Sequence, residues 1–297
     1  MAKIHKKADI IGVLSDLGAE KSGFDLAPPA IRNAGLCDKL SSLGITVRDR
    51  GDIIPVPGRE KALKMEDFTQ VADVNDKLYA MVKDSLQSGA FPIILGGDHS
   101  VSAGSIPAVS ECFGDVGIIW FDAHGDFNDR QSSFSGSING MPFSAVCGLG
   151  PGEMLPVTGY YVNPRRAVLI GARDLDALER PRLKDAGVTV FSIREIDRLG
   201  IQEVIRQAIE IAGRDTKGIY VSFDIDSIDP ESAPGVGFPV HHGLTVREAL
   251  FMAEILHQSG KVLALDMVEV NPVFDEKNRT SVLACELILS LMGKALY

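Results

Sequence analysis

The chain has 297 residues, with 30 Lys+Arg against 40 Asp+Glu, a formal charge of −10, 45% hydrophobic and 24% charged residues. That is ordinary globular usage and excludes a disordered chain, a collagen-like chain and a small disulfide scaffold. An acidic chain without a basic block is a poor phosphate-backbone binder, and no window reaches the roughly 18 apolar residues of a membrane span, so neither nucleic acid nor membrane is expected as a partner.

The first seven residues carry Lys3, Lys6 and Lys7, the charge of a secretory leader. The apolar run behind them holds Asp9 and Asp16 and no small-residue cleavage site, which predicts a first strand instead. Short apolar runs recur at 8–14, 91–95, 116–121, 167–170, 188–193, 218–223 and 262–267. Amphipathic stretches lie between most of them. Residues 28–43 open with Pro28 and Pro29, suited to the first turn of a helix. Residues 66–88 place Val71, Val74, Leu78, Met81, Val82 and Leu86 at helical spacing. Residues 201–212 and 245–258 read the same way, the second with Thr245 as N-cap and Glu248 three positions later. A last helix is expected over 281–296.

Strands alternating with helices predict a parallel sheet covered on both faces, and runs apolar on both sides suit strands buried in such a sheet. A length of roughly 150 residues per domain would allow two domains. No linker long enough to divide the chain is present, so a single domain over 1–297 is expected. Residues 129–159 lack periodicity, and a loop of that size is usually functional or carries short helices. Cys37, Cys112, Cys147 and Cys285 are scattered with no C-x-x-C pair, which predicts reduced thiols in a cytoplasmic protein.

Three strand ends carry chemistry: Leu95-Gly96-Gly97-Asp98-His99-Ser100, Trp120-Phe121-Asp122-Ala123-His124-Gly125-Asp126, and Ser222-Phe223-Asp224-Ile225-Asp226-Ser227-Ile228-Asp229-Pro230. Each follows a buried run and so leaves the sheet at its carboxyl edge, where open α/β sheets bind ligands. On extended chain, residues i, i+2 and i+4 share a face. At about 3.3 Å per residue, such neighbours sit about 6.6 Å apart, and their side chains can converge on a metal pair about 3.5–4 Å apart. Asp122, Asp126, Asp224 and Asp226 would repel one another without a cation. Oxygen-rich ligands with one or two imidazoles suit Mn²⁺.

These motifs resemble the ureohydrolase family of arginases, agmatinases and formimidoylglutamases, and the similarity covers nearly the whole chain. The family's Gly-Gly-Asp-His-Ser matches 96–100, its Asp-Ala-His-x-Asp matches 122–126, its Asp-x-Asp-x-x-Asp-Pro matches 224–230, and its Glu-Val-Asn-Pro matches 269–272. The resemblance implies an arginase-like three-layer αβα sandwich around a mainly parallel eight-stranded sheet. It implies two Mn²⁺ ions, one on His99, Asp122, Asp126 and Asp224, the other on Asp122, His124, Asp224 and Asp226. Asp126 would also take the proton of the attacking water and pass it to the leaving amine, and Glu269 would accept hydrogen bonds from the guanidinium. Trimers or hexamers are implied, with Arg247 and Glu248 at positions that often make subunit contacts.

The resemblance extends to substrate recognition. Asn128, Ser133 and Ser135 fall on the hydrogen-bonding positions of the loop that holds an α-carboxylate in arginases, while Asp129 and Arg130 depart from it. Asp176 is the expected ammonium partner, with Glu179 behind it. Two further departures stand out. Asn139 replaces the histidine of Ser-Gly-x-x-His-Gly that relays protons at the site mouth, and an amide cannot titrate near neutral pH. Phe238 replaces the threonine of Gly-Thr-Pro beside the guanidinium. His241 and His242 follow Phe238, and either is a candidate for the missing relay or for contact with an altered substrate. The leading expectation is a manganese-dependent amidinohydrolase of L-arginine or a close guanidino amino acid. A modified guanidine such as N-hydroxyarginine, an agmatine- or formimino-type substrate, and an inactive metal-binding homologue remain alternatives.

Overall fold

A computed structural model describes residues 5–56 and 68–295. Eight strands form one sheet: β1 (Lys7–Val13), β2 (Thr46–Ile53), β3 (Phe91–Leu95), β4 (Gly117–Phe121), β5 (Ala167–Ile170), β6 (Thr189–Phe191), β7 (Ile219–Asp224) and β8 (Val262–Val268). Every ladder is parallel, in the order β2-β1-β3-β8-β7-β4-β5-β6. Ten α-helices are described: α1 (Ala27–Asn33), α2 (Leu36–Ser42), α3 (Thr69–Gln87), α4 (Ser102–Phe113), α5 (Pro142–Val146), α6 (Glu179–Ala186), α7 (Ile193–Leu199), α8 (Ile201–Ala212), α9 (Val246–Ser259) and α10 (Arg279–Leu291).

Alternation along the strands divides the core into two layers. Ile119 and Phe121 of β4 and Val221 and Phe223 of β7 pack with Ile31, Leu36, Val204, Met252 and Leu287 from α1, α2, α8, α9 and α10. Ile118 and Trp120 of β4 and Tyr220 of β7 face the other way, onto Leu78, Ile106, Phe143 and Leu183 from α3, α4, α5 and α6. This is the three-layer sandwich expected, with both faces of the sheet covered, as a parallel sheet requires.

Three local readings are corrected. The stretch 28–43 is two helices, because Gly35 takes φ 87° and ends the first one. β2 has no apolar run, since its burial pattern is that of an exposed edge strand with charged side chains. The helix expected from residue 66 is described from Thr69, and Glu66 and Asp67 lie outside the described residues, as does Leu296 of the last helix. The aperiodic segment 129–159 carries the short α5 and isolated turns of 3₁₀ helix. Thr245 and Glu248 form the expected capping box on α9.

Candidate active site

The four strands at the middle of the sheet are consecutive neighbours, β3-β8-β7-β4. Their carboxyl ends deliver, in that spatial order, His99, Glu269, Asp224 with Asp226, and Asp122 through Asp126. Residues from opposite ends of the sequence therefore meet along one short edge. Close approach there depends on small residues. A Cβ on Gly97 would lie 1.6 Å from the Ser15 carbonyl oxygen, and one on Gly125 would meet the Glu179 carboxyl at 2.3–2.5 Å.

Two clusters of ligand-type side chains form, and Asp122 belongs to both. In the deeper one, His99 Nδ1 lies 3.3 Å from Asp122 Oδ2, 3.0 Å from Asp126 Oδ2 and 3.1 Å from Asp224 Oδ2. In the outer one, His124 Nδ1 lies 3.0 Å from Asp226 Oδ2 and 3.4 Å from Asp122 Oδ1. Neighbouring groups fix these side chains. Trp120 stacks on the His99 ring with centroids 4.1 Å apart, and its Nε1 donates to Asp122 Oδ2 at 2.9 Å. The backbone N–H of Asp226 donates to Asp224 Oδ1 at 2.7 Å, and that of Ala123 donates to Asp226 Oδ1 at 3.1 Å.

The electrostatics of the cluster are those of a cation site. Burial drives Asp126 up to about 7, helped by the Asp122 charge and opposed by His99. Burial, then the Asp226 and Asp122 charges, push Asp224 well above the usual carboxylate range. For Asp122, burial is outweighed by hydrogen bonds to His124 and His99, and its pKa falls. Burial also disfavours the charged imidazoles, yet the surrounding carboxylates raise both His99 and His124 well above the ordinary histidine value. Such a cluster holds together without metal only by taking protons onto imidazoles and carboxylates. Dications at the same positions would satisfy the same donors directly, so the residues present fit a pair of them.

A pocket of about 200 Å³ opens above the clusters. His124, Asp126, Asp224 and Asp226 line it, while His99 and Asp122 lie beneath, each side chain 1% exposed. Glu269 lies on its wall. The Oε1 of Glu269 accepts from the His99 backbone N–H at 2.8 Å and from Asn139 Nδ2 at 3.0 Å. Burial, then the Asp98 charge, raise Glu269 to about 8, against the Asn139 hydrogen bond. Asp126 (φ 50°) and Glu269 (φ 62°) both sit in the left-handed region. Such conformations cost an ordinary residue free energy and persist where surrounding structure enforces them.

Of the residues expected to read the substrate, Asn128, Ser135, Asn139, Asp176, Glu179 and Phe238 line the pocket. Asn128 Nδ2 donates to Asp176 Oδ2 at 2.9 Å, and its buried Oδ1 has no protein partner. Glu179 is 2% exposed and acts as a buttress, accepting from the N–H groups of Phe127 (2.8 Å) and Asp176 (3.3 Å). Ser133 is not part of the lining; its Oγ accepts from the Gly136 N–H. The departing Asp129 and Arg130 turn into ion pairs with Arg182 (2.6 Å) and Glu153 (3.1 Å).

His241 and His242, expected as candidates for a relay or for substrate contact, are not among the residues that line the pocket. Both are exposed. Their loop is tied down through its backbone: the Arg173 guanidinium donates to the Val240 and His241 carbonyls, and the His242 N–H donates to Asp229. Conversely, Glu20, Phe134, Ser137 and Asp174 line the pocket without having been singled out, although the last three lie within the segments that resemble the family's substrate loops. Their positions in loops at the carboxyl edge were the available clue. The Lys21 ammonium lies 4.6 Å from the centroid of Phe238 and 5.5 Å from that of Phe274, and donates to the Gly237 carbonyl.

The family model described as "Arginase family" matches residues 6–293. The chain belongs to the arginase family. It is 43% identical to an arginase of Staphylococcus aureus (strain MSSA476) over 98% of both chains, and 40% identical to an arginase of Bacillus subtilis (strain 168) over 99% of this chain and 100% of that one. The crystal structure of arginase from Bacillus subtilis superimposes with a TM-score of 0.92 at 39% identity, covering 98% of this chain and 100% of that chain.

Proposed function

We propose that this arginase-family hydrolase cleaves the guanidinium C–N bond of L-arginine or a close guanidino amino acid to urea and an amine, using two manganese ions. The carrying observation is the pair of imidazole–carboxylate clusters joined through Asp122 at the floor of a pocket walled by Glu269. His99, Asp122, Asp126 and Asp224 would hold one ion, and Asp122, His124, Asp224 and Asp226 the other. When bound, the pair supplies the Lewis acidity that makes water a nucleophile near neutral pH.

The protein groups do the rest. Both hydrogen bonds from the chain fall on Oε1 of Glu269, which leaves Oε2 to accept from the substrate guanidinium and orient its carbon. Asp126 takes a proton from the attacking water and passes it to the leaving nitrogen, so guanidinium and water become urea and an alkylammonium. Asp176 takes the substrate's α-ammonium, which also reaches the orphan Oδ1 of Asn128, and Ser135 serves the α-carboxylate, with Ser133 holding the turn at Gly136 behind it. Phe238, braced by Lys21, closes the wall. A single domain over 1–297, a homo-oligomer of trimeric or hexameric order and a cytoplasmic location complete the proposal. Among the described residues no helix is long and apolar enough to cross a membrane.

A modified guanidine is the second reading, favoured by one feature. Asn139, in place of a titrating imidazole, is committed to Glu269. A substrate such as N-hydroxyarginine, whose guanidine is less basic, places less demand on a proton relay at the mouth. The test is a panel of L-arginine, N-hydroxyarginine, agmatine and a formimino amino acid on chelator-stripped protein reloaded with Mn²⁺. L-Arginine is expected to turn over best, with the released amine measured for every compound, urea as well for L-arginine and agmatine, and activity abolished by the chelator. Preference for N-hydroxyarginine would select the second reading. Metal uptake with no turnover on any compound would reject the proposal in favour of an inactive binding protein.

A further inference from the structure

A sealed polar network lies under the deeper cluster, between α4, β7 and β8. Asp266 of β8 is fully buried. Its carboxylate accepts from Ser222 Oγ (2.7 Å) and the Phe223 N–H (3.3 Å) on Oδ1, and from Ser102 Oγ (2.7 Å) and Tyr220 OH (2.7 Å) on Oδ2. A carboxylate offers about four acceptor positions, so Asp266 is saturated. Each hydroxyl has one hydrogen. That of Ser222 is spent on Asp266, so toward His99 Ser222 can only accept.

His99 Nε2 lies 2.9 Å from Ser222 Oγ. The hydrogen count therefore keeps a proton on Nε2, so the nitrogen that gives up its proton to a cation is Nδ1. Nδ1 is the atom that faces Asp122, Asp126 and Asp224 at 3.0–3.3 Å. Stacking on Trp120 fixes the ring plane, and the Ser222 contact fixes rotation within it. None of Asp266, Ser222 or Ser102 lines the pocket.

We propose that Asp266, acting through Ser222, is a positioning residue that sets the tautomer and aim of His99 and thereby the affinity of the deeper metal position. The inference rests on the reading that His99 is a metal ligand. Outer partners of this kind typically change metal affinity 10–100-fold when removed. Replacing Asp266 with Asn has a further consequence. An amide can present N–H to Ser222, which then turns its own hydrogen toward His99 Nε2 and drives the ring proton onto Nδ1.

Calorimetric titration of Mn²⁺ into chelator-stripped wild-type, Ser222→Ala, Asp266→Asn, Ser102→Ala and His99→Ala proteins tests this, with circular dichroism to confirm folding. The wild type is expected to bind two ions. Ser222→Ala and Asp266→Asn should weaken one ion about 10–100-fold and leave the other unchanged. Ser102→Ala removes a different donor from Asp266 and a longer 3.3 Å contact with Ser222 Oγ, but leaves the Ser222 hydrogen on Asp266, so it should leave both unchanged. If Asp266→Asn fails to fold, Ser222→Ala decides. Wild-type binding by Ser222→Ala, equal weakening of both ions, or the same selective loss in Ser102→Ala would each overturn the proposal. Loss of one ion in His99→Ala but none in Ser222→Ala would overturn it while sparing the metal reading. Two undiminished ions in His99→Ala would overturn both.

Discussion

Asn139 marks the clearest departure at the level of single residues. Sequence reading identifies what it lacks, a titrating ring, but its partner is 130 residues away and carries no local signal. Because Asn139 anchors Oε1 of Glu269, its amide orients the carboxylate that would hold the guanidinium. A hydrogen bond to a charged group contributes about 1.5–3 kcal/mol. Asn139→Ala is thus expected to raise KM roughly 10–100-fold with a smaller change in kcat, read from steady-state urea production. His241→Ala and His242→Ala should leave both constants unchanged. Glu179 gives a pH prediction. Burial, opposed by the Phe127 N–H and helped by the Asp126 charge, raises it from 4.5 to about 8. Between those values the folded chain holds a proton that the unfolded chain has released. Stability contributed by this group therefore falls as pH rises from about 4.5 to about 8 and is level above. Each unit corresponds to about 1.4 kcal/mol. Glu179→Gln should be increasingly stabilised relative to wild type across that window, measured by urea unfolding of metal-free protein. A constant difference from pH 5 to 9 would contradict the assignment.

Elements were readable where burial writes a period into the sequence. β3, β5 and α8 fall where the apolar pattern puts them. β2 was invisible because an edge strand with exposed Arg48, Asp49 and Asp52 has no apolar run to detect. α4 was hidden by Ser102, Gly104, Ser105 and Pro107, small or helix-breaking residues tolerated where helices pack closely. Loop placement was even less readable, because it is fixed by one side chain from elsewhere. The half-buried Arg173 donates to the carbonyls of Asp226 (2.7 Å), Val240 (2.7 Å) and His241 (3.1 Å). It thereby ties the start of the β7–α9 connection, at Asp226, to the Val240–His241 stretch of the same connection just beyond Phe238. A lysine offers a point charge where the guanidinium offers a fork. Arg173→Lys should lower unfolding free energy by about 2–3 kcal/mol, the scale of a charge-assisted hydrogen bond lost with its carbonyl left unpaired. KM should rise as well, since Phe238 shares the released loop. Unchanged stability with unchanged KM would show that the clamp is idle.

At the scale of the whole molecule, the motif spacing picked out the residues that converge but not how: residues 122–126 are not extended, Asp126 is left-handed and Asp226 lies in a 3₁₀ turn capped by Asp224. Nor did it show that β3, β8, β7 and β4 are neighbours, since strand order comes from crossovers that leave no periodic trace. That order concentrates Asp122, Asp126, Asp224 and Asp226 at the middle of the sheet, in a chain already carrying −10. Concentrated buried carboxylates oppose folding unless protonated or paired with cations, so metal binding and folding must be linked. At free metal about 100-fold above Kd, each ion stabilises the folded state by about 2.7 kcal/mol. For a chain of this size, on the order of 2 °C per kcal/mol gives a rise in Tm of roughly 5 °C per ion. Adding Mn²⁺ to the stripped protein should therefore raise Tm by roughly 10 °C at pH 8. The gain should shrink as the pH falls, because protons compete for the same imidazole and carboxylate atoms. Asp126→Asn and Asp226→Asn separate the two effects: each removes a repelling charge and should raise the Tm of the metal-free protein while reducing the increment that Mn²⁺ adds. An increment that survives both substitutions intact would place the stabilising ions elsewhere on the molecule.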